Sequence, residues 1–179
     1  MPFAVEMYFD AESEAKIRRI WKSLAESDIK SAMLEAGYRP HVSLGVCEEM
    51  DVDGLAKELS SFAKSVSAFK MTLSSIGLFH SSQNVIFLGV TPTQQLLDIN
   101  NAFHRFFEKY ASGQRSHYHV GSWVPLCTLA FDLSNDSVWQ AIEICTREPL
   151  PIISRVKEIG IAKVSPVSAE ILCAYGLTG

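Results

Sequence analysis

The chain has 179 residues, of which 47% are hydrophobic, so it can bury the core of one compact domain, unlike a disordered chain. Sixteen Lys and Arg residues against 20 Asp and Glu give a formal net charge of −4, which excludes a non-specific grip on extended nucleic acid. Any nucleic-acid ligand is therefore expected to be small, or to be bound at an RNA end.

Four amphipathic stripes predict four helices along the chain. Each stripe follows a polar residue suited to cap a helix N-terminus. The stripes are Ile17, Ile20, Trp21 and Leu24 after Asp10; Leu55, Leu59, Phe62 and Val66 after Asp51; Ile99, Phe103, Phe106 and Tyr110 after Thr93; and Val138, Ile142 and Cys145 after Asn135. His104 lies within the third stripe and is expected at the surface or at the edge of the core.

About seven or eight strands are predicted between these helices, and several of them repeat. Residues 38–46 and 123–131 both read aromatic-x-Pro-x-x-hydroxyl-Leu-small-apolar. Residues 75–78 resemble 158–161 and residues 85–88 resemble 169–172, at the same offset of about 85.

The offsets predict an internal duplication within a single bilobal domain, residues 1–179. The first repeat covers about 1–90 and the second about 85–179. Each repeat reads strand-helix-strand-helix-strand, which predicts an α+β fold with pseudo-two-fold symmetry. Antiparallel sheets are expected to line a central cleft, with the helices outside.

The repeated strand places polar side chains on one face. Alternate residues of a strand share a face, so His41, Ser43 and Gly45 are expected to point to one side, away from the core. An imidazole and a hydroxyl about 7 Å apart suit a small anionic ligand. The second repeat presents Leu126 and Thr128 at the corresponding positions.

With these motifs the chain resembles the two-histidine (2H) phosphoesterase superfamily, in its branch of 2'-5' RNA ligase-like proteins and cyclic phosphodiesterases. That family carries two His-x-Thr/Ser-apolar motifs on symmetry-related strands that face a cleft. Residues 40–44 match the first motif. Residues 123–130 match the second at every position except the histidine, which is Leu126.

The resemblance implies a phosphoric diester hydrolase that needs no metal or cofactor. Its two imidazoles act as acid and base, and here His41, Ser43 and Thr128 would be the catalytic residues, the hydroxyls holding the phosphate oxygens. Its ligands would be 2',3'-cyclic nucleotides, ADP-ribose cyclic phosphates or RNA ends. Leu126 cannot transfer a proton, so the rate is expected to fall about 10²–10⁴-fold.

The first hypothesis is therefore a degenerate site that binds a small phosphorylated or cyclic-phosphate ligand with weak or absent hydrolysis. Tyr38 and Trp123 precede the two prolines and are candidates for stacking on a base. Leu126 adds apolar surface to the same groove.

Two alternatives stay open. The loop at residues 112–121 enters the second motif strand, and either His117 or His119 could supply the missing proton transfer of an active cyclic phosphodiesterase. In that case His119 and Arg115 would bind the substrate. If the loop is an ordinary solvated loop, it would neither transfer a proton nor bind the substrate. The other alternative is a non-catalytic binding or regulatory module.

The cellular setting is predicted from what the sequence lacks. No apolar stretch approaches the ~18 residues that span a bilayer, and no secretory signal precedes the first strand. The four cysteines contain no C-x-x-C pair, which indicates reduced thiols and no zinc site. We expect a cytoplasmic protein without membrane contact, and the oligomeric state is left open.

Overall fold

The computed structural model describes residues 1–29 and 32–179. Its strands are β1 (Phe3–Tyr8), β2 (His41–Cys47), β3 (Glu49–Met50), β4 (Phe69–Phe79), β5 (Val85–Val90), β6 (Ala111–Ser112), β7 (Leu126–Ala130), β8 (Ile152–Val156), β9 (Glu158–Ser165) and β10 (Ser168–Gly176). Its helices are α1 (Ala11–Ala25), α2 (Ala32–Glu35), α3 (Val52–Ser65), α4 (Gln94–Phe107) and α5 (Asn135–Cys145), with a 3-10 turn at Ser116–Tyr118.

Two four-stranded antiparallel sheets dominate the molecule. The strand orders are β10-β9-β1-β2 and β8-β4-β5-β7, so each sheet contains strands from both halves of the chain. The motif strands β2 and β7 occupy matching edges and lie against each other. This arrangement confirms the predicted α+β fold with pseudo-two-fold symmetry.

One of the three pairs of similar segments does not occupy equivalent positions in the two sheets. Residues 85–88 lie in β5, a central strand, whereas residues 169–172 lie in β10, an edge strand. The strand that matches β5 by position is β1. The hairpins β4-β5 and β9-β10 look alike locally, but a local pattern does not specify which further strand joins the sheet.

Helices α1, α3 and α4 follow the predicted caps Asp10, Asp51 and Thr93. Helix α5 is capped by Ser134 and not by the predicted Asn135, which is its first helical residue. The Asp10 side chain caps α1 by accepting a hydrogen bond from the Ser13 backbone N–H at 2.9 Å. Trp21, Leu55 and Phe103 are completely buried in α1, α3 and α4. Their side chains belong to one apolar cluster that extends from the helices to both sheets. Within the described ranges, no helix is both long and apolar enough to cross a membrane.

Strand β2 contains a β-bulge that alternation did not predict. In its pairing with β1, Ser43 lies opposite Glu6 and Gly45 opposite Val5, so Leu44 is an extra residue. Gly45 therefore faces α4, where an added Cβ would lie 2.7 Å from the Phe107 ring. The prediction that Gly45 shares the face of His41 and Ser43 is wrong, because the bulge reverses the alternation after Ser43.

Candidate active site

His41 begins strand β2, and both nitrogens of its buried ring have partners. Nδ1 lies 2.7 Å from the carbonyl oxygen of Arg39, and Nε2 lies 3.4 Å from Oε1 of Glu6. The Tyr38 ring stacks on the imidazole with a centroid separation of 5.8 Å. His41 therefore faces a carboxylate and an aromatic ring, and only 8% of the residue is exposed.

The two contacts of the His41 imidazole limit how its nitrogens can be used. A backbone carbonyl can only accept, so Nδ1 carries the hydrogen that is donated to Arg39. In a neutral ring Nε2 would then present a lone pair, which a carboxylate oxygen repels. The 3.4 Å contact of Nε2 with Oε1 is therefore an ion pair only when the imidazole is protonated, and Oε1 accepts no hydrogen bond from the residues that this structure describes.

Glu6 is buried on β1 and was not identified by sequence reasoning. It is 2% exposed, lies opposite Ser43 in the sheet, and accepts a hydrogen bond at Oε2 from the Tyr8 hydroxyl at 2.9 Å. Burial and the neighbouring Glu6 carboxylate raise the pKa of Tyr8. A lone charged residue among the apolar residues of β1 was the available signal in the sequence.

The nearby arginine, Arg39, is occupied by other carboxylates. Its guanidinium lies over the Tyr8 ring, 4.4 Å from the centroid, and forms ion pairs of 2.6 Å with both Glu14 and Glu158. These contacts connect α1, β1 and β9 beside His41. Arg39 is therefore fixed by the fold and is not free to bind a phosphate.

Two tyrosines flank the first motif. The Ser43 side chain hydrogen-bonds Tyr118, whose pKa is raised chiefly by burial, with Arg115 opposing the rise and Glu6 adding to it. Burial, and then the Glu6 charge, raise the pKa of Tyr38 to about 12, and the Tyr38 hydroxyl donates to the carbonyl of Ser165 at 3.1 Å. Both phenols are consequently neutral hydrogen-bonding groups near physiological pH.

The second motif lies in apolar surroundings. Leu126 and Thr128 are half-buried on β7, opposite Gly89 and Phe87 of β5. The Phe87 ring covers Gly77 of β4 so closely that no Cβ would fit there. Phe87 thus occupies the position in the second sheet that Glu6 occupies in the first, between a motif hydroxyl residue and a glycine.

Two tryptophan side chains donate hydrogen bonds to backbone carbonyls of the motif strands. Trp123 Nε1 donates to the carbonyl of Ser43 at 3.0 Å, and Trp21 Nε1 donates to that of Thr128 at 3.2 Å. Edge strands leave some carbonyls without a partner in their sheet, and each indole satisfies one. Trp123, which we predicted as a ligand-stacking residue, therefore also links β2 to the segment before β7.

The loop before β7 places the rings of its two histidines beside His104 and Tyr118. His119 is exposed and its ring centroid lies 6.1 Å from that of His104, while the His117 ring contacts Tyr118. Arg115 is exposed and its Nη2 lies 3.5 Å from Oε1 of Glu48. Across residues 1–29 and 32–179, no hydrogen bond or ring contact joins either loop histidine to His41.

His104 is buried, so its predicted position at the surface or core edge is wrong. Its Nε2 donates to the carbonyl of Leu44 at 3.1 Å, and burial lowers its pKa. Leu44 is the extra residue of the β-bulge, and a bulge leaves a backbone group outside the strand ladder. The imidazole completes the hydrogen bonding of the bulge, a role that could not be foreseen without the bulge itself.

The described part of the chain contains neither a metal site nor a reactive thiol near His41. There, no group of three or more His, Cys, Asp or Glu side chains could hold a metal ion. The four cysteines have free thiols. Burial raises the pKa of Cys127, beside the backbone of His41, to about 12, so this thiol is not a nucleophile near neutral pH.

Comparison with known proteins identifies a family and a fold. The model of the 2'-5' RNA ligase superfamily matches residues 9–165. Among curated proteins, the candidate phosphoesterase OB1230 of Oceanobacillus iheyensis is 29% identical over 100 residues, which cover 54% of this chain and 55% of that protein. The match thus spans about half the length of this relative.

Solved structures resemble the whole chain. TT0787 of Thermus thermophilus superposes with a TM-score of 0.66 at 14% identity, over 100% of this chain and 99% of that one. E. coli LigT in its apo form superposes with a TM-score of 0.63 at 21% identity, over 100% and 99%. LigT in complex with 3'-AMP gives 0.61 at 17% identity, over 99% and 98%. At these identities the likeness shows the fold.

Proposed function

Because the chain belongs to the 2'-5' RNA ligase superfamily, we propose that it binds a small phosphorylated or 2',3'-cyclic-phosphate nucleotide between β2 and β7, with weak or absent hydrolysis. The observation that carries this proposal is the contact of the two motif strands, one with a histidine and one without. His41 and Ser43 lie on the first strand, and Leu126 and Thr128 on the second. The compartment we propose is the cytoplasm.

The reduced activity follows from the geometry of displacement at phosphorus. The attacking and leaving oxygens lie in line on opposite sides of the phosphorus, so one proton-transfer group is needed on each side. In this proposal His41 lies on one side of the phosphorus, and the aliphatic side chain of Leu126 takes the position of the second proton-transfer group on the other side. Glu6 cannot replace the missing group, because it lies on the same sheet as His41.

Binding depends on different groups and is proposed to persist. The hydroxyls of Ser43, Thr128 and Tyr118 are neutral donors for phosphate oxygens, and the imidazole of His41 adds positive charge when protonated. Tyr38 and Trp123 would contact the base, with Arg115 and His119 at the edge of the ligand. LigT has been solved with 3'-AMP and with phosphate, which supports a phosphorylated ligand for this fold.

The test compares wild type with His41→Ala and Leu126→His for hydrolysis of 2',3'-cyclic AMP, while phosphorus NMR follows binding. We expect Leu126→His to raise kcat/KM by about 10²–10⁴-fold, because it restores the second proton-transfer group. His41→Ala should remove the residual rate. Leu97→His, which introduces the same ring at an exposed position on α4, is the matched control and should change nothing.

Two results would count against the proposal. If wild type binds neither a cyclic nor a terminal phosphate, the proposed ligand class is wrong. If it binds but Leu126→His gains no activity, position 126 is not where proton transfer was lost. A decrease of activity in His119→Ala, with folding retained, would instead favour the loop-histidine mechanism.

A further inference from the structure

Glu6 places a buried negative charge at the position where a phosphate is proposed to bind. Its carboxylate lies opposite Ser43 in the sheet and contacts Nε2 of His41. Apart from that contact, Oε1 has no hydrogen-bond partner among the described residues, although only 3% of the side chain is exposed. A phosphate bound to Ser43 and His41 would therefore lie close to this oxygen.

Apart from His41, the described titratable groups that face Glu6 are neutral and do not offset its negative charge. They come from β1, from the segments before β2 and β7, and from β7 itself: Tyr8, Tyr38, Tyr118 and Cys127. Burial raises the pKa of each, so all four are neutral near pH 7. Of the described groups in contact with Glu6, only the His41 imidazole can carry a positive charge.

The arginines near the motif are also matched by acids. Arg39 pairs with Glu14 and Glu158, and Arg115 lies beside Glu48. The site thus offers hydroxyl donors and the imidazole of His41 beside the Glu6 carboxylate, without a further cation among the described residues to balance a second negative charge on a ligand.

We infer that Glu6 sets the charge specificity of this site, so that it accepts a singly charged phosphodiester, such as a cyclic phosphate, and rejects a doubly charged phosphate monoester. The inference rests on the proposed function and names its substrate class. A phosphodiester carries one negative charge at neutral pH. A monoester, whose second pKa is about 6, carries nearly two, and the second charge is repelled by the buried carboxylate.

The experiment measures the dissociation constants of 2',3'-cyclic AMP and 3'-AMP by phosphorus NMR titration at pH 8 and pH 5. In wild type at pH 8 we expect the cyclic ligand to bind at least about tenfold more tightly. At pH 5 the monoester carries about one charge and the ratio should approach one. The ratio cancels effects that act equally on both ligands.

Glu6→Gln tests the residue itself, since an amide keeps the shape and still accepts the Tyr8 hydrogen bond. At pH 8 this variant should bind 3'-AMP about tenfold more tightly than wild type does, with a smaller change for the cyclic ligand. Glu12→Gln is the charge-matched control, because Glu12 pairs with Lys16 on the exposed face of α1, and it should leave the ratio unchanged.

The outcomes separate this inference from the proposed function. Equal affinities for both ligands in wild type at pH 8 would overturn the inference and support the proposed function, and so would an unchanged ratio in a folded Glu6→Gln. If Glu6→Gln does not fold, the wild-type comparison at pH 8 and pH 5 decides alone. If wild type binds neither ligand, the proposed function fails and the inference fails with it.

Discussion

Replacing Trp21 by Phe is expected to weaken the attachment of the second motif strand to α1. The Trp21 side chain is completely buried, and its Nε1 donates to the carbonyl of Thr128 at 3.2 Å. Phe keeps an aromatic ring in the core but has no donor. The carbonyl of a motif residue would then lie within the fold without this partner.

The expected loss of stability comes from two contributions. A buried polar group that loses its partner costs about 1–3 kcal/mol. The smaller ring leaves unfilled space and gives up buried apolar surface, which costs about 1–2 kcal/mol after partial relaxation. We therefore expect Trp21→Phe to lower the free energy of unfolding by about 2–5 kcal/mol.

Urea unfolding followed by circular dichroism at 222 nm measures this loss without depending on tryptophan emission. The matched control is Trp139→Phe, because Trp139 is 74% exposed and its replacement should change the stability by less than about 0.5 kcal/mol. A loss for Trp21→Phe no larger than that of the control would refute the reasoning. Weaker binding of the phosphate ligand should accompany the loss, since Thr128 is displaced.

Two further substitutions test the helix cap and the second sheet. Burial opposes ionisation of Asp10, but hydrogen bonds led by the one from the Arg155 backbone N–H lower its pKa. The stability that Asp10 contributes is therefore fully present above its pKa in the unfolded chain, about 3.9, and is lost as the pH falls through its pKa in the folded protein. Asp10→Asn should therefore cost about 1–2 kcal/mol at pH 7 and less as the pH falls to about 2.5, and equal losses by urea unfolding would contradict this. Gly77→Ala should cost about 1–3 kcal/mol in the same assay because its Cβ meets the Phe87 ring, whereas Gly176→Ala, with open space around its Cβ, should be neutral.

The sequence predicted those features that local periodicity and capping determine. The stripe containing Trp21 and Leu24 gave α1, and the paired motifs around His41 and Leu126 gave β2 and β7. These signals are short-range, because a helix face or a strand face repeats within a few residues. The duplicated motif also predicted two sheets with motif strands at corresponding positions.

Features that depend on pairing between distant strands were not predictable in the same way. The bulge at Leu44 exists only in the register of β2 with β1, and it determines the orientation of Gly45 and the buried role of His104. The contact of Glu6 with His41 likewise depends on which strands are neighbours. A single sequence gives no register, so the carboxylate partner of the imidazole was missed.

The residues beside the two motif strands differ between the halves of the cleft. From this difference we derive a further prediction for Leu126→His. In the first half the imidazole of His41 contacts Glu6, whereas the corresponding neighbour in the second half is Phe87. An imidazole introduced at position 126 would be half-buried beside an aromatic ring and a glycine, so desolvation should lower its pKa and keep it neutral near pH 7.

The restored pair would then consist of a neutral base at position 126 and an acid at His41, which is the combination that hydrolysis of a cyclic phosphate requires. We expect a bell-shaped pH profile of kcat/KM for Leu126→His. Combining it with Glu6→Gln should change the descending limb, because the carboxylate that contacts Nε2 of His41 is removed. A profile of Leu126→His that is unaffected by Glu6→Gln would show that this contact has no part in the reaction.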